Sequence, residues 1–347
     1  MNPYRDLQDY RFWRRAVSNV ETHLFDPVVK PRFTIKPGDK VATAGSCFAQ
    51  HISRKLKQIN FNYFVTEDGS GLSKEDRITR NYGTFSARYG NIYTTTQLFQ
   101  LFEEAYGRRQ PIDAAWQRPD GRFIDPFRQQ VEPEGFKNAA AVVADRKVHL
   151  AKVRELFEQS DVFVFTLGLT EAWRSKQDGS VFPLAPGVNG GAFDHQKHEF
   201  VNLSISDVEQ PLFAFLDGLK AVNPKVKVLL TVSPVPLMAT FEDRNVLVST
   251  TYSKSVLRVA AEDAIRAYDW VDYFPSYEII TGSFSGGLYY EDDYREVNSL
   301  GVAHVMRCFL GNYAEGRKTE NLIRQRTVAS GATTTYNVVC DEEALGR

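Results

Sequence analysis

The sequence predicts an α/β protein built on a central parallel sheet, and three observations carry that expectation. Continuous apolar runs at Lys40–Gly45, Asp161–Leu167 and Val226–Val232 read as strands buried on both faces. Stretches of helical spacing separate them, which argues for parallel strands joined by right-handed crossovers. Each run also ends in a small polar cluster: Gly45-Ser46-Cys47, Gly168-Leu169-Thr170-Glu171 and Ser233-Pro234. A fourth cluster, Tyr273 to Glu278, follows a shorter apolar stretch. Ligands of such sheets bind beyond the carboxyl ends of the strands, so these clusters mark one expected site.

The elements follow in order. Residues 1–38 are aromatic and interrupted by Pro27, Pro31 and Pro37, an arm packed on the body. After the first strand, Phe48, Ile52, Leu56 and Ile59 recur on one helical face. Phe61–Thr66 reads as a second strand. Residues 67–135, rich in Gly, Asp, Arg and aromatics, read as an inserted cap with one helix over Thr95–Tyr106. Helices are expected over Phe136–Gln159, Ser206–Val222, Tyr252–Tyr268 and Ser299–Tyr313, with a short strand at Val271–Phe274. The body spans 39–315, and residues 316–347, including the run VASGATTTYN, form a polar tail.

Composition narrows the function. The 347 residues carry a net charge of −1 with no large block of like charge, which gives no electrostatic support for nucleic-acid or membrane-surface binding. The first residues lack the apolar core of a signal peptide, and no run of about 18 apolar residues predicts a membrane span. Cys47, Cys308 and Cys340 are too scattered for a disulfide framework or a zinc site. The expected compartment is the cytoplasm, and no cofactor is implied.

Ser46 falls where a strand feeds a helix. Backbone N–H groups there favour developing negative charge, so a serine can attack a carbonyl while its own N–H helps hold the oxyanion. The alternative is a helix cap. Cys47 is a rival nucleophile or a small buried apolar group. His51 lies more than one turn on and is expected to face away. His195 and His198, beside Asp194, have a metal-like spacing, but the glycines Gly187, Gly190 and Gly191 make the region a loop without a third ligand. Tyr252-Ser253-Lys254 has the form of a Ser-Lys pair and reads as the first turn of a helix. Gly69, Gly71 and the later glycines form no dinucleotide fingerprint or P-loop.

Gly45-Ser46-Cys47-Phe48-Ala49 resembles the signature of the GSCFA family. Asn81–Phe85, Arg88–Tyr93, Thr166–Trp173 and Tyr273–Ile279 are similar to further segments of its pattern. The resemblance covers roughly residues 35–310 and relates the chain to SGNH/GDSL hydrolases and acyltransferases. It implies a three-layer, flavodoxin-like fold with Ser46 as nucleophile. Oxyanion donors would come from Gly90 and Asn91 and from Gly168 to Glu171, where Thr170 stands at a position usually held by Asn. Asp293 matches the acid of the Asp-x-x-His motif, and Glu296 stands where that motif has histidine. His304, on the last helix in line with Leu300 and Cys308, is the alternative base. The implied activity is that of an esterase or O-acyltransferase acting through an acyl-enzyme on an acylated carbohydrate or a small ester. A carbohydrate-binding or scaffold protein on a degenerate fold, and a Cys47 thiol enzyme, remain open at this point.

Overall fold

The computed structural model describes residues 1–316 and 341–346. In chain order the elements are β1 (Val41–Gly45), α1 (Ala49–Gln58), α2 (Lys74–Thr79), α3 (Thr95–Ala105), β2 (Trp116–Gln117), β3 (Phe123–Ile124), α4 (Ala139–Gln159), β4 (Val162–Leu167) and β5 (Glu171–Ser175). They continue with β6 (Val181–Phe182), β7 (His198–Asn202), α5 (Ile205–Val222), β8 (Lys227–Val232), α6 (Val246–Ala267), β9 (Val271–Tyr273), α7 (Ser276–Thr281) and α8 (Ser299–Tyr313).

The central sheet has the order β1-β4-β8-β9, with every pair parallel. Alternation along the strands sends side chains to two cores. Ala42, Ala44, Phe163, Phe165, Val228 and Leu230 meet residues of α3, α4, α5 and α6 on one face. Val41, Val162, Val164 and Leu229 meet α1, α7 and α8 on the other. The result is three layers, helix on sheet on helix, as expected.

Some local expectations change. Phe61–Thr66 forms no strand. Its Asn62 and Phe64 exchange two backbone bonds with Val41, and Thr66 then turns away to Ser86. Residues 67–135 divide in two. Phe85, Ala87, Tyr89, Ile92, Leu98 and Phe102 enter the main core. The β2–β3 hairpin instead packs Trp116 and Ile124 against Phe182 and Trp173. Phe182 and Trp173 belong to a separate antiparallel sheet, β6-β5-β7, in a region read from sequence as loop. The arm is tied to α8: Ile35 N–H donates to Tyr313 O, and Glu315 N–H donates to Ile35 O. The run VASGATTTYN lies outside the described residues.

Candidate active site

β1 delivers Ser46 to the carboxyl edge of the sheet. Gly45 pairs with Thr166 in register and has φ +131°; a Cβ there would lie 2.3 Å from Thr166 O, so only glycine fits. Ser46 N–H donates to Thr166 O at 3.2 Å and extends the ladder by one residue. That amide is therefore engaged, which corrects the expectation that it helps hold an oxyanion. The chain then enters α1 through an Ala49 N–H to Ser46 O turn. Ser46 Oγ does not cap this helix. It is buried and has no hydrogen-bond partner among the described residues. An unmet buried hydroxyl costs about 1–3 kcal/mol, a sign of a group held for something other than stability.

Ser46 and Cys47 line a pocket with Tyr93, Gly168, Leu169, Ser233, Lys254 and Glu342 among others. Three of the strand-end clusters thus meet there, from β1, β4 and β8. Close approach of the loops sets the shape. Gly168 and Leu169 both donate to Tyr93 O, and a Cβ on Gly168 would sit 3.0 Å from that oxygen. Ile92 N–H donates to Gly45 O, pinning the 90–93 loop beside the serine, and Gly90 takes φ +71° to begin that turn.

Lys254 is the group that sequence reasoning passed over. It lies well inside α6, which begins at Val246, so the Tyr252-Ser253-Lys254 run is not a first turn. The side chain is 2% exposed, and Nζ donates to Gly168 O at 2.5 Å. Burial lowers its pKa to about 8, against the opposing fields of Glu342 and Cys47; Arg295 pushes it further down. Its neighbour Ser253 accepts from Thr170 N–H at 2.9 Å. Thr170 Oγ1 donates to Asn202, so Thr170 ties α6 and β7 to the pocket wall and does not line the pocket. Glu171 accepts from Thr240 Oγ1 and Phe241 N–H, holding the loop after β8.

The expected acid–base residues fall elsewhere. His304 Nε2 donates to Phe25 O at 2.6 Å, and its Nδ1 accepts from Tyr289 OH at 2.5 Å. These bonds tie the ring to the arm and to Tyr289, and His304 is not among the residues lining the Ser46 pocket. Asp293 and Glu296 are exposed; the Asp293 carboxylate accepts from the N–H groups of Arg295 and Glu296 and shapes a turn. The turn brings Arg295, 9% exposed, to Glu342 at 3.0 Å. His51 packs on the Phe48 ring. His198 accepts from Asp194 N–H, and no group of three metal-ligating side chains occurs among the described residues.

The C-terminal residues of the expected tail reach this site. Asp341–Gly346 form a 3-10 helix, with Asp341 and Glu342 buried. Asn91 Nδ2 donates to Asp341 at 3.0 Å, and the Asn91 backbone N–H faces the same carboxylate. The pKa of Asp341 rises to about 6, burial outweighing the help from Asn91.

The fold and pocket define an α/β protein with a serine at the carboxyl edge of a parallel sheet. The model of the GSCFA family matches residues 40–309, and the chain belongs to that family. No curated protein matches the sequence. Two solved structures match at 13% identity, each covering 85% of this chain and 100% of its own: a carbohydrate esterase family 3 from Talaromyces cellulolyticus, TM-score 0.34, and an acetyl esterase mutant with acetate ion, TM-score 0.33. No helix among the described residues is long and apolar enough to cross a membrane.

Proposed function

We propose that the protein is a serine esterase or O-acyltransferase in which Ser46 is the nucleophile and Lys254 the general base. The observation that carries this reading is the buried, unpartnered Ser46 Oγ in one pocket with a lysine whose pKa is lowered to about 8. A buried lysine near neutrality in pKa can act as a base in its amine form.

The reaction divides into two balanced halves. Neutral Lys254 takes the Ser46 hydroxyl proton as Oγ bonds to the ester carbonyl carbon. The tetrahedral intermediate collapses, the carbonyl–oxygen bond to the alcohol breaks, and the ammonium returns its proton to the leaving oxygen. Water or a sugar hydroxyl then attacks the acyl-enzyme, with Lys254 again taking and returning the proton. The family resemblance of the 88–93 run offers Asn91 as the oxyanion donor; in this structure its two N–H groups face the Asp341 carboxylate, and the residue lines the neighbouring pocket. The likeness of the family to SGNH/GDSL enzymes supports an O-acylated carbohydrate or small ester as substrate.

Hydrolysis of p-nitrophenyl acetate by purified variants tests the assignment. Ser46→Ala abolishes turnover, and Cys47→Ala retains it. The reverse order would move the nucleophile to Cys47, which lines the same pocket.

A further inference from the structure

Glu342 is a carboxylate that the proposed chemistry does not use, yet it lines the pocket of Ser46. It is buried between two cations. Arg295 Nη2 donates to it at 3.0 Å, and Lys254 also acts on its charge. Arg295 keeps its charge even when buried, so its position next to the pocket requires an anion. The anion here comes from the far end of the sequence, on a 3-10 helix of six residues. Its neighbour Asp341 occupies the Asn91 donors that the reaction needs for the oxyanion. Two adjacent carboxylates thus hold Asn91 and Arg295, and one of them, Glu342, lines the Ser46 pocket.

We infer that Arg295 is a specificity residue reading a carboxylate on the substrate, and that the Asp341-Glu342 turn is an internal ligand holding this subsite until substrate displaces it. The inference rests on the Ser46 reading for the identity of the reaction. The substrate class becomes an O-acyl ester that carries a carboxylate, such as an acylated acidic sugar. Its acyl carbonyl faces Asn91, and its carboxylate meets the Arg295 fork. Burial raises the pKa of both turn carboxylates, so the seat is one that a better-matched anion can take.

The test uses succinate and the full chain in titration calorimetry. Glu342→Gln removes the competing charge and is expected to bind succinate about tenfold more tightly than wild type, the scale of one charge-assisted hydrogen bond. Arg295→Gln in the same background loses the gain. Arg295→Lys, which keeps the charge without the fork, retains only part of it and serves if the glutamine variant fails to fold. A Glu342→Gln protein within about threefold of wild type would overturn the inference, as would a gain that survives removal of Arg295. A second readout separates specificity from structure. Glu342→Gln also removes a charge that acts on Lys254, so its effect on kcat is common to all esters, whereas KM for 4-carboxyphenyl acetate falls relative to KM for phenyl acetate; an equal change of KM for the two esters contradicts the assignment. Succinate binding needs no acyl transfer, so its failure leaves Ser46 standing, whereas a Ser46 that does not react leaves the anion subsite standing.

Discussion

Asp125 and Asp341 are both fully buried carboxylates, and their environments drive them in opposite directions. Asp125 lies among Arg128 and Arg146, both at hydrogen-bond distance, and its pKa falls well below the usual carboxylate range: burial alone would raise it, and the two guanidinium charges outweigh that. Asp341 meets an uncharged amide and a neighbouring carboxylate, and burial raises it to about 6. The same contrast separates the two regions. Beneath α4, Glu104 is paired with Arg146, and Glu67 and Asp145 with Arg88. At the pocket, Lys254 is buried with its pKa down and the Ser46 hydroxyl has no hydrogen-bond partner among the described residues. Paired buried charge serves structure; buried charge left under-compensated is available for chemistry.

Several substitutions test that contrast. The largest effect is expected from Ser46→Ala, which should cost about 10⁴-fold or more in kcat by steady-state assay while leaving the unfolding midpoint near wild type or above it. Lys254→Met should lower kcat about 10²–10⁴-fold, the range of a lost general base. Asp125→Ala should do the opposite: it removes the carboxylate that two buried arginines share, leaving Arg128 with Asp145 and Arg146 with Glu104, and costs about 3 kcal/mol in urea unfolding. Its sign with pH is also set. A depressed folded pKa means that the stabilisation is present at neutral pH and is lost as pH falls below the unfolded value of about 4. The smallest effect belongs to Asp341→Asn. A raised folded pKa penalises the charged form, so this change should raise stability at pH 8, on the order of 1 kcal/mol, by less at pH 5, and have little effect below the unfolded value of about 4.

How much of this was legible follows from what periodicity can report. The strand-to-helix junction at Ser46 was readable because VATAG is buried on both faces and Phe48, Ile52 and Leu56 share one. The last helix was readable end to end, Ser299–Tyr313. The antiparallel sheet β6-β5-β7 was not, because its strands are short and separated by glycine-rich turns. His304 looked poised for catalysis because it lies on the buried stripe; the arm that claims its ring is 279 residues away in sequence. Lys254 was hidden for a related reason. Its helix begins six residues before the expected start, so the lysine is buried mid-helix and not in a solvated first turn. Asp341 and Glu342 satisfy their burial through long-range polar contacts, which no local pattern encodes.

The central claim is that a buried lysine activates Ser46. The rate of labelling by a fluorophosphonate, followed across pH with the adduct mapped by mass spectrometry, tests it most directly. The account predicts one adduct on Ser46, with a rate that rises as Lys254 loses its proton and levels above about pH 8, and with that dependence gone in Lys254→Met. The groups setting this pKa are Glu342 and Cys47, which raise it, and burial and Arg295, which lower it. An adduct on Cys47, or a Ser46 rate whose pH dependence is unchanged in Lys254→Met, would contradict the account.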